Sequence, residues 1–222
     1  MRKWLFAAAL WAAAICVSVP AAAQAPAPSA SAPVVNLWYA GGFTGAAGAK
    51  KVGGVAGAEA GIRAWHNMDV LAEVGWFQNA VNKHTSAATA PLVAYLQTSQ
   101  GQSASATVKA PTTFATIGGR WVFESDGRFR PYVIVAVGGA RVELKSRFFL
   151  GGTDISGSLA QRGVTLGQDL TGHSSHVAVT AGGGVLMPWG MWYLDAGYRV
   201  TSIATKQSTT VNRFNVGFGV RF

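Results

Sequence analysis

Cysteine is almost missing from this chain: the single thiol, Cys16, lies in the N-terminal stretch. Without that stretch, no disulfide, thiolate metal site or cysteine nucleophile is available. Long apolar runs are also missing. Beyond residue 23 nothing approaches the roughly 18 consecutive apolar residues of a transmembrane helix, so a membrane-inserted form would have to be a barrel. Histidines are few. His66 and His84 have no partners in sequence, and His173 and His176 stand three apart, on opposite sides of a strand, so no metal is expected. Gly182-Gly183-Gly184 lacks the strand-then-helix context of a phosphate loop and reads as packing or a bend. No cofactor is expected either.

What is present begins with an address. Met1-Arg2-Lys3 is a positive start, residues 4–19 are uncharged and mostly apolar, and Ala21 and Ala23 occupy the small-residue positions of a cleavage site. Residues 1–23 therefore read as a cleaved signal peptide, with cleavage after Ala25 as the alternative. Ile15, just before Cys16, is not small, which argues against lipidation. Residues 24–34 read as a Pro/Ala/Ser-rich periplasmic linker with nothing to bury. Loss of Arg2 and Lys3 lowers the 18 basic side chains to 16 against nine acidic ones. Export makes a nucleic-acid partner the wrong reading of that excess.

From residue 35 the pattern alternates between apolar and polar or small residues, the period of a pleated strand. Eight segments show it: 35–44, 55–65, 69–79, 112–124, 131–145, 175–187, 191–201 and 210–222. In the last, Phe214, Val216, Phe218, Val220 and Phe222 share one face, opposite Arg213, Asn215, Gly217, Gly219 and Arg221. Glu59, Arg63, Glu73, Arg120, Arg141, Glu143, Asp195, Arg199 and Arg213 all fall on the mixed, glycine-rich face. In segment five that assignment places Tyr132, Ile134, Ala136, Val142 and Leu144 on the apolar side. A one-residue slip would turn Arg63, Arg120, Arg141 and Arg199 toward lipid, at roughly 2–4 kcal/mol each.

Connections alternate in length: 66–68, 125–130 and 188–190 are short, while 80–111 and 146–174 are long. Short periplasmic turns and longer external loops are the rule in outer-membrane barrels. Segments 35–222 are therefore expected to form an all-β, up-and-down antiparallel barrel of eight strands. Residues 91–109 read as a hairpin rising from the second long loop, which leaves a ten-stranded barrel as the alternative. Trp121, Phe123, Tyr132, Trp192 and Phe222 next to the short turns are expected to form an aromatic girdle.

Three passages resemble the small outer-membrane barrel families of OmpA and OmpX type and the opacity-protein-like surface antigens. They are Arg130-Pro131-Tyr132-Val133 leading to Gly138-Gly139, the stretch Leu194-Asp195-Ala196-Gly197-Tyr198-Arg199, and the ending Val216-Gly217-Phe218-Gly219-Val220-Arg221-Phe222. The last is similar to the signal read by the barrel-assembly machinery, carried here by Phe218, Val220 and Phe222. The resemblance implies residence in the bacterial outer membrane, handling by periplasmic chaperones, and a monomer.

Eight strands enclose a space that side chains can fill. The inward charges are expected to pair, Arg63 with Glu59 or Glu73, and Arg199 with Asp195 or Glu143, giving a plugged interior; a narrow pore is a further alternative. Lys50, Lys51, Lys83, Lys109, Lys145, Arg147, Arg162 and Lys206 face only Asp154 and Asp169 in the loops, and lipopolysaccharide phosphates are a candidate partner for them. His173 and Ser175 share the lipid-facing side and resemble the His-x-Ser element of lipid A deacylase barrels. A deacylase also needs an outward acid, which strand seven does not supply. The expected function is therefore non-enzymatic (envelope integrity, surface binding or adhesion), with lipid A acyl-ester hydrolysis as the alternative.

Overall fold

The computed structural model describes residues 38–49, 52–81, 87–125, 127–164, 166–167, 170–205 and 208–222. The leader and linker expected over 1–34 lie outside these residues, as do Lys50, Lys51, Lys83, His84, Asp126, Asp169, Lys206 and the side chain of Arg162. In chain order the elements are β1 (Trp38–Gly48), β2 (Val52–Trp65), β3 (Met68–Phe77), α1 (Ala90–Gln100), β4 (Ala104–Lys109), β5 (Thr112–Val122), β6 (Arg130–Leu150), β7 (Thr153–Asp154), β8 (Gly172–Trp189), β9 (Trp192–Ile203) and β10 (Thr209–Arg221). Eight of the strands form a closed antiparallel ring, β1-β2-β3-β5-β6-β8-β9-β10, and β10 returns to β1. At the seam, Trp38 and Phe222 exchange backbone hydrogen bonds of 2.9 Å in both directions. Among the described residues no helix is long and apolar enough to cross a membrane.

Alternation puts one residue of each pair outside and the next inside. Val74, Ile117, Val135, Val179, Leu194, Phe214, Val216 and Phe218 are exposed on the outer wall. Inside, aromatic rings lie over glycines of the neighbouring strand. A Cβ on Gly57 would fall 2.3 Å from Phe43 Cζ, and one on Gly75 would fall 2.6 Å from Phe114 Cζ. Small inward residues let large inward ones lie flat, so a narrow ring can be filled.

Two expectations are corrected. Residues 91–109 are not a hairpin: α1 covers 90–100, and β4 pairs with the upper part of β6, from Ala104 opposite Leu150 to Lys109 opposite Lys145. The helix has physical causes. Pro91 sits in its first turn, where no N–H is needed, and Gly101 closes it in the left-handed region at φ 62°. Leu96 anchors it in a small outer core with Phe148, Leu150, Ile155, Leu159, Val164 and Leu170. The ring therefore keeps eight strands, and β4 and β7 stand outside it.

The second correction concerns β6. Tyr132, Ile134, Ala136 and Val142 point inward, while Val133, Val135, Val137, Arg141 and Glu143 point outward. Arg141 and Glu143 are thus not interior charges, and Tyr132 is not part of an outer girdle. At 21 residues β6 is about twice the 9–11 residues a spanning strand needs. Arg141 and Glu143 lie on its upper half, where an outward charge meets water rather than hydrocarbon. Lys145, Arg147 and Lys109, read above as loop residues, belong to strands for the same reason.

Candidate functional site

The short turns at Asn67, 127–129 and Gly190 mark one end of the ring, and the long connections mark the other. Three layers fill the space between. Near the short turns lie Tyr39, Leu71, Val122, Tyr132, Ile134, Leu186 and Tyr193. Near the long connections lie Phe43, Val55, Phe77, Phe114, Val142, Ile203 and Val211 among others, with Phe77 stacked on Phe114 at 4.6 Å. Charged side chains occupy the middle.

Arg120, Arg199 and Arg213 are each at most 1% exposed. Arg120 donates to Asp69 Oδ2 from Nε and Nη2 at 3.1 and 3.0 Å, and from Nη1 to Glu59 Oε1 at 3.2 Å. Arg199 reaches three carboxylates, Glu73 at 2.7 Å, Glu59 at 3.0 Å and Asp195 at 3.3 Å. Arg213 grips both oxygens of Glu73, with Nη2 donating to Oε2 at 2.9 Å. The Tyr132 hydroxyl donates to Asp195 Oδ1 at 2.9 Å. Flat rings extend the pairing: the Arg120 guanidinium lies 4.5 Å from the Tyr39 ring, and that of Arg213 5.0 Å from Phe114. Each buried charge therefore has an opposite charge in direct contact, the condition for tolerating it at all.

Glu59, Glu73, Arg120, Asp195, Arg199 and Arg213 thus meet in one network, and Arg63 joins at its edge through Asp69 rather than through Glu59 or Glu73. Asp69 is the member that sequence reasoning missed. Part of its signal was present, because it shares the parity of Leu71 and Glu73; its place opposite Arg63 follows from the register that the structure shows. Tyr132 had no such signal, since both faces of β6 are apolar at that depth.

Trp121, Phe123, Trp192 and Phe222 are exposed on the outer wall at the short-turn end, with Trp38, Trp65, Phe129 and Trp189 beside them. Phe218 stacks on Trp192 at 5.0 Å, and Val220 is half-buried.

His173 and Ser175 are exposed on the outer wall near the long-loop end of β8. The correction to β6 places Glu143 directly opposite His173, and Arg141 opposite Ser175. Trp76, Pro111, Thr113, Arg141, Glu143 and His173 line an open hollow of about 330 Å³ there. Glu143 is engaged by Lys145 Nζ at 3.1 Å, and His176 pairs with Ser174 at 2.8 Å. Among the described residues no three His, Cys, Asp or Glu side chains converge as a metal site would require.

The sequence pattern of the outer membrane protein beta-barrel domain family matches residues 7–222. The chain belongs to this family. It is a bacterial outer-membrane β-barrel, and the wall of exposed valine, isoleucine and phenylalanine is its lipid-facing surface. Among solved structures, neisserial surface protein A is similar at 14% identity, with 84% of this chain and 96% of that one covered and a TM-score of 0.52. At that identity the likeness speaks to the fold alone. The attachment invasion locus protein Ail of Yersinia pestis matches at 11% identity over 84% of this chain and 99% of its own, with a TM-score of 0.46. The N-terminal barrel of Pseudomonas aeruginosa OprF matches at 12%, over 83% and 97%, also at 0.46. No curated protein sequence is matched significantly.

Proposed function

We propose that this barrel is a non-enzymatic surface protein with a closed interior, and that its external loops, not its lumen, carry its function in envelope integrity, surface binding or adhesion. The observation that supports this is the middle layer. Arg120, Arg199 and Arg213 with four carboxylates fill the cross-section of an eight-stranded ring; an apolar layer covers them toward the long connections, and toward the short turns Tyr39, Leu71, Tyr132, Leu186 and Tyr193 pack beside Asp69 and its partner Arg63. An ion crossing would have to displace several charge-assisted hydrogen bonds at once. Planar-bilayer recording of the refolded protein is expected to show no stepwise conductance, and proteoliposomes should retain small sugars. A steady ohmic current would sink this reading in favour of the narrow pore. The same reading takes 1–23 as an export leader, 24–34 as a periplasmic linker, the Phe218, Val220 and Phe222 ending as the assembly signal, and the barrel as a monomer.

A second reading has one observation in its favour: Glu143 faces outward, opposite His173, with Ser175 two residues along the same face. That arrangement holds the residue types of a serine acyl hydrolase, with Ser175 as nucleophile, His173 as base and Glu143 as its orienting acid. Glu143 would have to leave Lys145 to serve. Mass spectrometry of lipid A from cells carrying the wild type or Ser175→Ala separates the readings. The surface-protein reading expects identical lipid A; an acyl chain missing only with the wild type would establish the hydrolase.

A further inference from the structure

Above the membrane the outer wall changes character. Outward positions on upper β6 are Arg141, Glu143, Lys145 and Arg147, and on β4 they are Ser105, Thr107 and Lys109. Lys109 stands directly opposite Lys145. Like charges opposed across strands destabilise a sheet, and of these two only Lys145 has a carboxylate partner among the described residues. Two carboxylates share the face. Glu143 pairs with Lys145 at 3.1 Å. Asp154 is held below the usual carboxylate range chiefly by the hydroxyl and N–H of Ser156, so it stays charged, with Arg147 a lesser influence. Among the described residues, Lys109, Arg141 and Arg147 have no carboxylate within ion-pair distance. His173, across from Glu143, is the other titratable group that faces the patch.

The height of the patch decides what could cover it. Arg141 lies in one cross-strand row with Thr113 and Trp76, and Trp76 is exposed on the lipid side. Tryptophan marks the boundary between hydrocarbon and headgroups. From Arg141 to Arg147 the cations climb about 20 Å of strand from that level. Val137, Val177 and Val179 lie on the apolar wall below. A molecule in the membrane beside this wall would put its acyl chains against the valines and its headgroup against the cations. The hollow at Arg141, Glu143 and His173 lies at the join.

We infer that the outward face of β4 and upper β6 binds the phosphorylated saccharide headgroup of the glycolipid in the outer leaflet. Lys109, Lys145 and Arg147 donate to its phosphates, and Arg141 anchors the end nearest the membrane. The inference rests on insertion in the outer membrane and does not depend on whether the interior is closed. A conducting barrel that kept this preference would overturn only the closed interior.

The test uses the full mature protein in phosphatidylcholine nanodiscs, with fluorescent bisphosphorylated lipid A and its fully dephosphorylated form as probes. The wild type should prefer the phosphorylated form by about tenfold or more, and Lys109→Gln/Lys145→Gln/Arg147→Gln should reduce the preference to within about twofold. Arg128→Gln, at the opposite end, should leave it unchanged. Heat-modifiable gel mobility establishes that each variant is folded. Lys109→Gln alone should melt higher than the wild type without lipid A and lose that advantage when the phosphorylated form is present. Equal binding of the two forms by the wild type, an unchanged preference in the triple variant, or a lower melting point for Lys109→Gln in plain phosphatidylcholine would overturn the assignment.

Discussion

Arg199→Ala is expected to cost about 3–5 kcal/mol of unfolding free energy, measured by denaturant titration in detergent or lipid. The magnitude follows from what is left behind. Arg199 touches Glu59, Glu73 and Asp195, so its removal leaves Glu59 with Arg120, Glu73 with Arg213, and Asp195 with only the Tyr132 hydroxyl. Those three carboxylates, and Asp69 on Arg120, then depend on two guanidinium groups and one phenol, with Arg63 reaching only Asp69. Arg199→Lys is expected to recover only part of the loss, because an ammonium cannot span three carboxylates as the planar fork does. The pair should not be read as showing that the network makes the barrel stable. Well-packed apolar residues in place of the whole network could be as stable or more so, and the penalty belongs to breaking it. A loss under about 1 kcal/mol would show that solvent reaches the carboxylates and that the middle layer is open.

Val216→Arg is expected to cost about 2–4 kcal/mol in lipid, whereas Thr210→Arg, on the same face and strand, should cost no more than about 1 kcal/mol. Val216 lies midway along the outer face of β10, flanked by Phe214 and Phe218 and opposite Ala196 and Thr44. An arginine there cannot reach water without thinning the bilayer or bending its stem to an interface. Thr210 lies three rows toward the long loops, where the headgroups begin. The contrast between the two positions is the quantity of interest. Equal costs would mean that no hydrocarbon surrounds the wall at Val216.

The ring was legible because most strands carry their charges at membrane depth. On β9 and β10, Asp195, Arg199 and Arg213 lie between apolar neighbours, so the charged face had to be the inner one. On β6 the same logic failed. Its only acid and its mid-strand arginine, Glu143 and Arg141, lie above the bilayer, and below them Tyr132, Ile134 and Ala136 alternate with three valines. Nothing at membrane depth distinguished the faces, so the rule was applied where its physical basis no longer held. The strand's unusual length hid the change of surroundings. Glu143, which stands opposite His173, therefore carried no outward signal in the sequence.

Helix α1 was legible in principle. Pro91 at the start and Gly101 just past the end are the asymmetric punctuation of a helix, and Leu, Gln and Ala fill the turns between. The stretch 92–96 looked equally apolar in either period, and the expectation of strands elsewhere decided it wrongly. Arg63 shows a different limit. Its partner Asp69 is fixed by the tight turn at His66 and Asn67, and a register shift between Arg63 and Trp65 adjusts the pairing. Choice among nearby acids depends on register, and register was not available before the turn was seen.

The seam between β1 and β10 ties the earliest strand of the ring to the latest. No nascent fragment can present a finished cylinder, however long it grows, because its opening strand waits for a mate that has yet to emerge. Until then two raw edges offer unpaired N–H and C=O groups to any other extended chain nearby. Contacts between such distant parts of a sequence also form slowly. Both edges are closed together, in one event, when Trp38 meets Phe222.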